Sequence, residues 1–504
     1  MTIPASGRSL DRSMARAVAW NASARWASQI LSWVSTIIVA RRLTPADYGL
    51  VGMAGLYLNL ALLVSQAGIG NTIIALRDLT RRQIAELNTV AILLGLGLVG
   101  SSCSLALPLA RFFSTPPLFG IILVSSAMYL INAFQIVPKA LLQRDLRFKL
   151  LALIDTLRAF SQIFITVLFV FLKFGYWSLV AGYMMSTLTG SFMTFLCRRH
   201  GFAFPNFQQL SRELKFSRAV MLSNLAWYTY DNADFGVAGR VLGEVPLGNY
   251  TVAWTISSAP VEKIANLVAN VTPSFFSALQ SDKPELRRYL ARLTEILSLV
   301  TIPASIGLVL VADYLVPVLL GPKWYGVIGP LRLLGVFVAA RSIATILPNL
   351  LIAIGDASFV MWVSICAAII MPIAFLIGSR WGTSGIAGAW VIAYPLITIP
   401  TYYRVMKKTG LSWKEYASAI APALTASGMM VCVLLLVRLL LRSQPHSLLV
   451  LSILITAGGM SYVGGLLAFY RQRVTSILKT TRGMLQRGKM GDSGSGLLYE
   501  PKSV

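Results

Sequence analysis

Cationic and amide side chains recur at helical spacing inside apolar stretches of the sequence. Arg25 lies midway between Asn21 and Gln29, and the four-residue spacing places all three on one face of a helix. In the second half of the chain, Asn349 follows Arg341 at twice that spacing, again on one face. A guanidinium group can bind two phosphate oxygens at once, and amides exchange hydrogen bonds with hydroxyl groups. Polar stripes of this kind in apolar helices favour a lined cavity over a lipid-facing surface.

Other polar residues in apolar stretches extend this candidate site. Lys263 would add a point charge, and Tyr228 offers an aromatic ring and a hydroxyl group. The predicted substrate-binding residues are Arg25, Asn21, Gln29, Lys263, Arg341, Asn349 and Tyr228. A second set could bind Na⁺ or H⁺ and couple transport to an ion gradient, because burial makes a carboxylate easier to protonate. This ion-coupling set consists of Asp231, Asp234 and Glu262.

Ion pairing offers a structural alternative for the same charges. Asp155 and Arg158 are three residues apart on one predicted helix and are explained equally well as a pair. Either Glu262 or Asp231 could likewise pair with Lys263 or Arg341 between helices. Both readings stay open on the sequence alone.

The elements that carry these residues are apolar runs long enough to cross a bilayer. Of the 504 residues, 56% are hydrophobic and only 12% are charged, about half the charged fraction of a soluble domain. Such runs recur from end to end and predict an all-α polytopic membrane protein with about fourteen transmembrane helices. Their approximate limits are 18–40, 48–75, 86–109, 118–137, 150–172, 174–197, 216–240, 247–276, 289–312, 327–352, 358–379, 383–403, 415–440 and 447–470.

The net charge of +25 is explained by membrane topology rather than by nucleic-acid binding. Lys and Arg concentrate in alternate short loops, and the positive-inside rule then places both termini in the cytoplasm. The four cysteines lie in or beside apolar runs without the paired spacing of a metal or disulfide framework. No pattern for a cofactor or a metal ion stands out.

Three pairs of similar segments, each separated by about 200 residues, indicate an internal duplication. The pairs begin at Ile38 and Gly236, at Val137 and Leu347, and at Lys173 and Arg380. They predict two six-helix pseudo-repeats that form two lobes around a central cleft, plus two extra C-terminal helices. The predicted divisions are a cytoplasmic tail at 1–17, an N-lobe at 18–197, a linker at 198–215, a C-lobe at 216–406, two added helices at 407–470 and a basic, flexible cytoplasmic tail at 471–504.

Two loop motifs resemble those of a known transporter family. RLTPADYGLVGMA follows the first span, and PKALLQRDLRFK follows the fourth. Both resemble the polysaccharide transporter (Wzx-type flippase) branch of the multidrug/oligosaccharidyl-lipid/polysaccharide exporter superfamily. This resemblance implies alternating access in the bacterial inner membrane. It also implies that undecaprenyl-pyrophosphate-linked oligosaccharide moves from the cytoplasmic to the periplasmic leaflet for exopolysaccharide or O-antigen-like synthesis, alongside a polymerase or chain-length complex.

Two other functions are weighed against this one. An ion-coupled multidrug antiporter of the same superfamily would commonly carry an acidic residue in the first-span region, where this chain has Arg25. A membrane enzyme of polysaccharide assembly would need a catalytic constellation. The two histidines, His200 and His446, lie in predicted loops or helix ends, and the two carboxylates of Asp231 and Asp234 have the wrong spacing for a nucleotide-sugar site. The sequence therefore predicts a transporter and not an enzyme.

Overall fold

The computed structural model describes residues 32–491, with gaps at 67, 77, 207, 209, 281 and 443. Within that range, side chains are described except at 211–212, 214–220, 222–224, 226, 260, 262–271, 273–274, 278 and 474–491. Helices make up nearly all of this part of the chain, which contains no β-strand. The predicted all-α class is therefore confirmed.

The helices follow the predicted spans closely from the second span onward. In chain order they are α1 (32–42), α2 (Pro45–Gln66), α3 (Ile69–Ala75), α4 (Arg81–Phe112), α5 (Pro117–Arg144), α6 (Phe148–Phe171), α7 (Trp177–Cys197), α8 (Ser211–Val237), α9 (Glu244–Ala278), α10 (Lys283–Leu315), α11 (Ile328–Ala344), α12 (Ile346–Ala353), α13 (Ala357–Gly378), α14 (Gly382–Thr409), α15 (Trp413–Leu440) and α16 (Leu448–Gly491). Among the described residues, ten helical segments are long and apolar enough to cross a membrane. The exact number of spans stays a prediction.

Two compact units are each built from separate parts of the chain. The first combines Leu315–Leu334 and Met361–Ile397 with the described residues up to Ile256. The second combines Ser257–Tyr314 and Gly335–Val360 with the described residues from Thr398 onward. Each has its own buried apolar cluster, because a helix in a bundle buries its apolar face against its neighbours. The predicted two-lobe division stays a prediction.

The turn before α2 is specified by its own side chains. The backbone N–H and the hydroxyl of Thr44 both donate to Oδ2 of Asp47, at 2.8 and 2.7 Å. The N–H of Asp47 donates back to the Thr44 hydroxyl oxygen at 3.3 Å, and Pro45 occupies the first turn, where no N–H is needed. Caps of this kind are worth about 1 kcal/mol. The TPAD sequence of the first motif therefore determines where α2 begins.

Helices α2 and α9 approach each other at backbone distance. A Cβ atom added to Gly49 would lie 1.8 Å from the carbonyl oxygen of Glu244, and one added to Gly248 would lie 1.8 Å from the carbonyl oxygen of Pro45. The contact is reciprocal, since each helix presents a glycine to the first residue of the other. The partners are separated by about 200 residues, which is the offset of the predicted repeat. Only glycine permits so close an approach.

The end of α1 is held by residues 316–327 of the same unit. The Arg41 guanidinium donates to the carbonyl oxygens of Val318 and Leu319 at 2.6 and 2.8 Å. The Trp324 indole donates to the carbonyl oxygen of Ala40 at 2.8 Å, and its ring meets Tyr48 edge-on at 5.2 Å. The first motif thus joins segments that are distant in sequence.

Candidate functional site

A cavity of about 470 Å³ lies within the first unit, lined mainly by α2, α5, α6, α7, α8 and α9. We call it the aromatic cavity, because Tyr183, Tyr228 and Trp254 present rings to it. Its polar lining includes Asn59, Ser125, Gln162, Asn232 and Thr251. Rings and neutral hydrogen-bonding groups of this kind can pack against the faces of a sugar and exchange hydrogen bonds with its hydroxyl groups.

The rings of the aromatic cavity are held in place by their neighbours. The Tyr228 hydroxyl donates to the carbonyl oxygen of Leu56 at 2.9 Å, which ties α8 to α2. The Trp254 ring packs against Phe235 and Trp390, each with a centroid distance of 5.8 Å. Side chains fixed in this way lose little entropy when a ligand binds.

A second cavity of about 330 Å³ lies in the same unit and has a different character. We call it the basic cavity, because Lys139 of α5 and Arg158 of α6 line it and no carboxylate is among its lining residues in the described part of the chain. Its amide lining consists of Gln66, Asn71, Asn132, Gln135 and Gln143. This combination of side chains suits an anion that also carries hydrogen-bonding groups.

The two cavities follow one another along shared helices. On α5, Ser125 lines the aromatic cavity, and Asn132 and Lys139 line the basic cavity on the same face at seven-residue intervals. On α6, Gln162 lines the first cavity and Arg158, one turn away, lines the second. The rise along α5 from Ser125 to Lys139 is about 21 Å. The polar lining is therefore extended along the helices rather than confined to one point.

The buried carboxylate of Asp234, next in the chain to the cavity-lining Phe235, accepts three hydrogen bonds. Its Oδ2 accepts from the Tyr250 hydroxyl at 2.6 Å and from the Trp390 indole at 2.9 Å, and its Oδ1 accepts from the N–H of Phe235 at 2.9 Å. All three side chains that form this network (Asp234, Tyr250 and Trp390) are completely buried. This geometry is that of a structural anchor, and the ion-coupling role of Asp234 stays a prediction.

The structure places the other predicted residues as follows. Asp231 is half-buried on α8. Arg341 and Asn349 belong to the second unit and line neither cavity; the Arg341 guanidinium lies 5.8 Å from the Phe337 ring centroid, and the Asn349 amide donates to the carbonyl oxygen of Thr345 at 3.3 Å. The predictions that lie outside the described residues or side chains are Asn21, Arg25, Gln29, Glu262 and Lys263.

Sequence reasoning missed most of the residues that line the two cavities. Tyr228 was predicted and lines the aromatic cavity. The sequence leaves Arg158 open between a polar helix face and a pair with Asp155, whose carboxylate lies 3.9 Å away in the structure. The predicted span that ends at residue 137 leaves Lys139 in a cytoplasmic loop, whereas α5 continues to Arg144. The seven-residue spacing of Ser125, Asn132 and Lys139 is the signal that could have identified the polar face of α5.

Comparisons with known proteins agree with the motif resemblance. The profile of the family described as polysaccharide biosynthesis protein matches residues 38–329, more than half of the chain. The lipopolysaccharide biosynthesis protein WzxC of Escherichia coli is 25% identical over 415 residues, covering 79% of this chain and 82% of that protein. The succinoglycan biosynthesis transport protein ExoT of Rhizobium meliloti is 24% identical over 427 residues and covers 82% of each chain.

The fold is also that of a solved transporter structure. The lipid II flippase MurJ in an inward closed conformation superimposes with a TM-score of 0.72 at 15% identity, covering 90% of this chain and 99% of that one. At this identity the similarity establishes the fold alone, and it does so over nearly the whole length. The profile match begins within α1, ends at the start of α11 and includes both motifs. The chain therefore belongs to the polysaccharide biosynthesis protein family.

Proposed function

We propose that this protein is a flippase that moves polyprenyl-pyrophosphate-linked oligosaccharide across the bacterial inner membrane, from the cytoplasmic to the periplasmic leaflet. The observation that carries the proposal is the aromatic cavity, a neutral site of rings and amides whose lining includes four helices apolar enough to cross a membrane. A lipid-linked sugar needs such a site because hydrocarbon offers its hydroxyl groups no hydrogen bonds. The names of the relatives WzxC and ExoT support a role in polysaccharide biosynthesis and transport.

The second unit offers a separate surface for the apolar part of such a substrate. A cavity of about 370 Å³ lies between α10, α15 and α16. Its lining is almost entirely apolar and includes Pro303, Gly307, Met430, Leu434 and Gly458. An isoprenoid chain would bury apolar surface there without having to leave a hydrocarbon-like environment.

The remaining parts of the proposal concern the setting of transport. Access to the aromatic cavity would alternate between the two sides of the membrane, as it does in transporters built from repeated halves. Both termini would be cytoplasmic because of the distribution of Lys and Arg in the loops. The proposal involves no catalytic step, and a polysaccharide polymerase or chain-length complex would use the exported units.

The direct test follows lipid-linked sugar units in cells that lack the protein. We expect complete units to accumulate on the cytoplasmic leaflet, where an impermeant glycan-binding probe added to the periplasm cannot reach them. Re-expression of the wild-type chain should restore labelling. Truncated units would indicate an enzyme of assembly instead, and normal labelling of complete units would indicate another exported substrate; either result would overturn the proposal.

The role of the aromatic cavity can be tested with two tryptophans on neighbouring helices. Trp254→Ala should lower the export rate roughly fivefold, because one aromatic contact is worth about 1 kcal/mol. Trp227→Ala is the matched control, since Trp227 is 56% exposed and does not line the cavity. Rates are measured by periplasmic labelling and normalised to folded protein, and Trp254→Tyr should restore most of the loss. Equal effects of the two alanine variants would contradict a sugar contact at Trp254.

A further inference from the structure

We propose that the basic cavity binds the phosphate groups of the lipid-linked substrate, with Lys139 and Arg158 as the charged ligands. This assignment rests on the proposed function and adds to it a location for the phosphates. It is independent of Arg25, Lys263 and Arg341, the residues that the sequence alone favours for that role. The cavity is defined entirely by residues of the first unit.

The first observation is a pair of buried amides with unused hydrogen-bonding atoms. Asn132 is 7% exposed and Gln135 is 4% exposed, and both line the cavity. The Gln135 amide nitrogen donates to the Asn132 side-chain oxygen. The Asn132 amide nitrogen and the Gln135 side-chain oxygen have no hydrogen-bond partner among the described residues. Buried polar groups are rarely left unpaired, so this donor and this acceptor are available to a ligand that enters the cavity.

The second observation is that the positive charge of the cavity is only partly paired with carboxylates. Lys139 is half-buried and has no ion-pair partner in the described part of the chain. The carboxylate of Asp155 lies 3.9 Å from the Arg158 guanidinium, which is too far for a hydrogen bond, and it does not line the cavity. A lysine and an arginine within a membrane protein therefore face a space that suits an anion.

The position of Arg158 depends on a glycine of the neighbouring helix. A Cβ atom added to Gly190 of α7 would lie 2.6 Å from Cδ of Arg158. The arginine side chain therefore lies against α7 at a position where that helix has no side chain. This packing holds the guanidinium beside the cavity, where it could form two hydrogen bonds to a phosphate group.

The order of the two cavities matches the order of groups in the proposed substrate. Lys139 lies near the end of α5 that is predicted to be cytoplasmic, and the aromatic cavity begins farther along the same helix. A phosphate group in the basic cavity would leave the attached sugars within reach of the rings of Tyr183, Tyr228 and Trp254. The separation of about 21 Å between Ser125 and Lys139 accommodates a diphosphate and a few sugar residues.

The test is a binding measurement with the full-length chain in nanodiscs made of phosphatidylcholine. Farnesyl diphosphate is the probe, since it carries a diphosphate on a short isoprenoid. We expect Lys139→Gln and Arg158→Gln each to weaken its binding about tenfold, the size of one lost charge-assisted hydrogen bond. Lys149→Gln is the matched control, because Lys149 is exposed and its substitution removes the same charge close to the cavity. Lys139→Arg, which keeps the charge, should retain most of the affinity and shows that a loss is not a folding defect.

The same preparation distinguishes a substrate diphosphate from a phospholipid headgroup. Nanodiscs containing phosphatidylglycerol should bind the probe as tightly as those without it. If phosphatidylglycerol displaces the probe, or if Lys139→Gln binds as the wild type does, the assignment is overturned.

Failure of the site and failure of the proposed function give different results. If Lys139→Gln loses probe binding but cells lacking the protein still present complete units in the periplasm, the anion site stands and the flippase function fails. If those cells trap the units on the cytoplasmic leaflet but Lys139→Gln binds the probe and exports normally, the function stands and the site fails. We expect trapped units in the cells that lack the protein and in those that carry Lys139→Gln.

Discussion

Asp234→Ala should lower the thermal stability of the purified protein more than the loss of any other single carboxylate described here. The substitution leaves the Tyr250 hydroxyl and the Trp390 indole without their acceptor in a fully buried environment. Each unpaired buried donor costs about 1–3 kcal/mol, and the alanine also leaves a cavity among tightly packed rings. The melting temperature in detergent, followed by tryptophan fluorescence, should therefore fall by several degrees or more.

Matched variants separate this network from a general effect of charge. Asp155→Ala removes a carboxylate that is 61% exposed and should leave the melting temperature nearly unchanged. Tyr250→Phe and Trp390→Phe each remove one donor, so each should cost less than Asp234→Ala. A normal melting temperature for Asp234→Ala would show that the network contributes nothing. Normal folding of Asp234→Asn combined with lost transport would instead support the predicted ion-coupling role.

Helix positions could be predicted because the length of an apolar run is a strong signal, whereas breaks within the spans could not. The predicted span 48–75 is divided into α2 and α3 beside Gly68, which has a φ of 69°. The predicted span 327–352 is divided at Thr345, whose hydroxyl donates to the carbonyl oxygen of Arg341 at 2.8 Å. Both sides of such a break are apolar, so a hydropathy average over a long window does not reveal it.

The candidate site was harder to predict because the sequence does not show which helices a given helix face packs against. Asn132 and Gln135 look like two of many polar residues in apolar spans, and only the packing of α5 shows that they share a cavity with Arg158. Lys139 was assigned to a loop because loop lysines are the expected topology signal. The helix nevertheless continues beyond the apolar run and keeps Lys139 on the cavity face.

The start of the predicted C-terminal tail is helical. The sequence after residue 470 is basic, and the GDSGSG sequence with a flexible composition begins only at Gly491. In the structure the helical backbone continues to Gly491 after a break at Tyr470, whose φ and ψ are −132° and 26°. Lys, Arg, Leu and Met are all good helix formers, so a basic composition does not by itself exclude a helix.

The second large effect is expected at the crossing of α2 and α9. Gly49→Ala would place a methyl group 1.8 Å from the carbonyl oxygen of Glu244. The obstacle is backbone and not a flexible side chain, so the two helices must move apart to relieve the overlap. Overpacking of this kind costs about 1–3 kcal/mol and sometimes more. We expect a strongly reduced yield of folded protein and a lower melting temperature, measured by fluorescence-detected size-exclusion chromatography after heating.

Two comparisons show whether the loss comes from this crossing and not from glycine replacement in general. Gly97→Ala on α4 is the matched control, because a Cβ atom there meets nothing within 4 Å, and it should be neutral or stabilising by up to about 1 kcal/mol. Gly248→Ala should be as harmful as Gly49→Ala, since its Cβ would lie 1.8 Å from the carbonyl oxygen of Pro45. The double variant should lose less stability than the sum of the losses of the two single variants. Helices that one added methyl group has already moved apart can accommodate the second. If the two losses of stability simply add, the two contacts are independent, and α2 and α9 do not form one reciprocal interface.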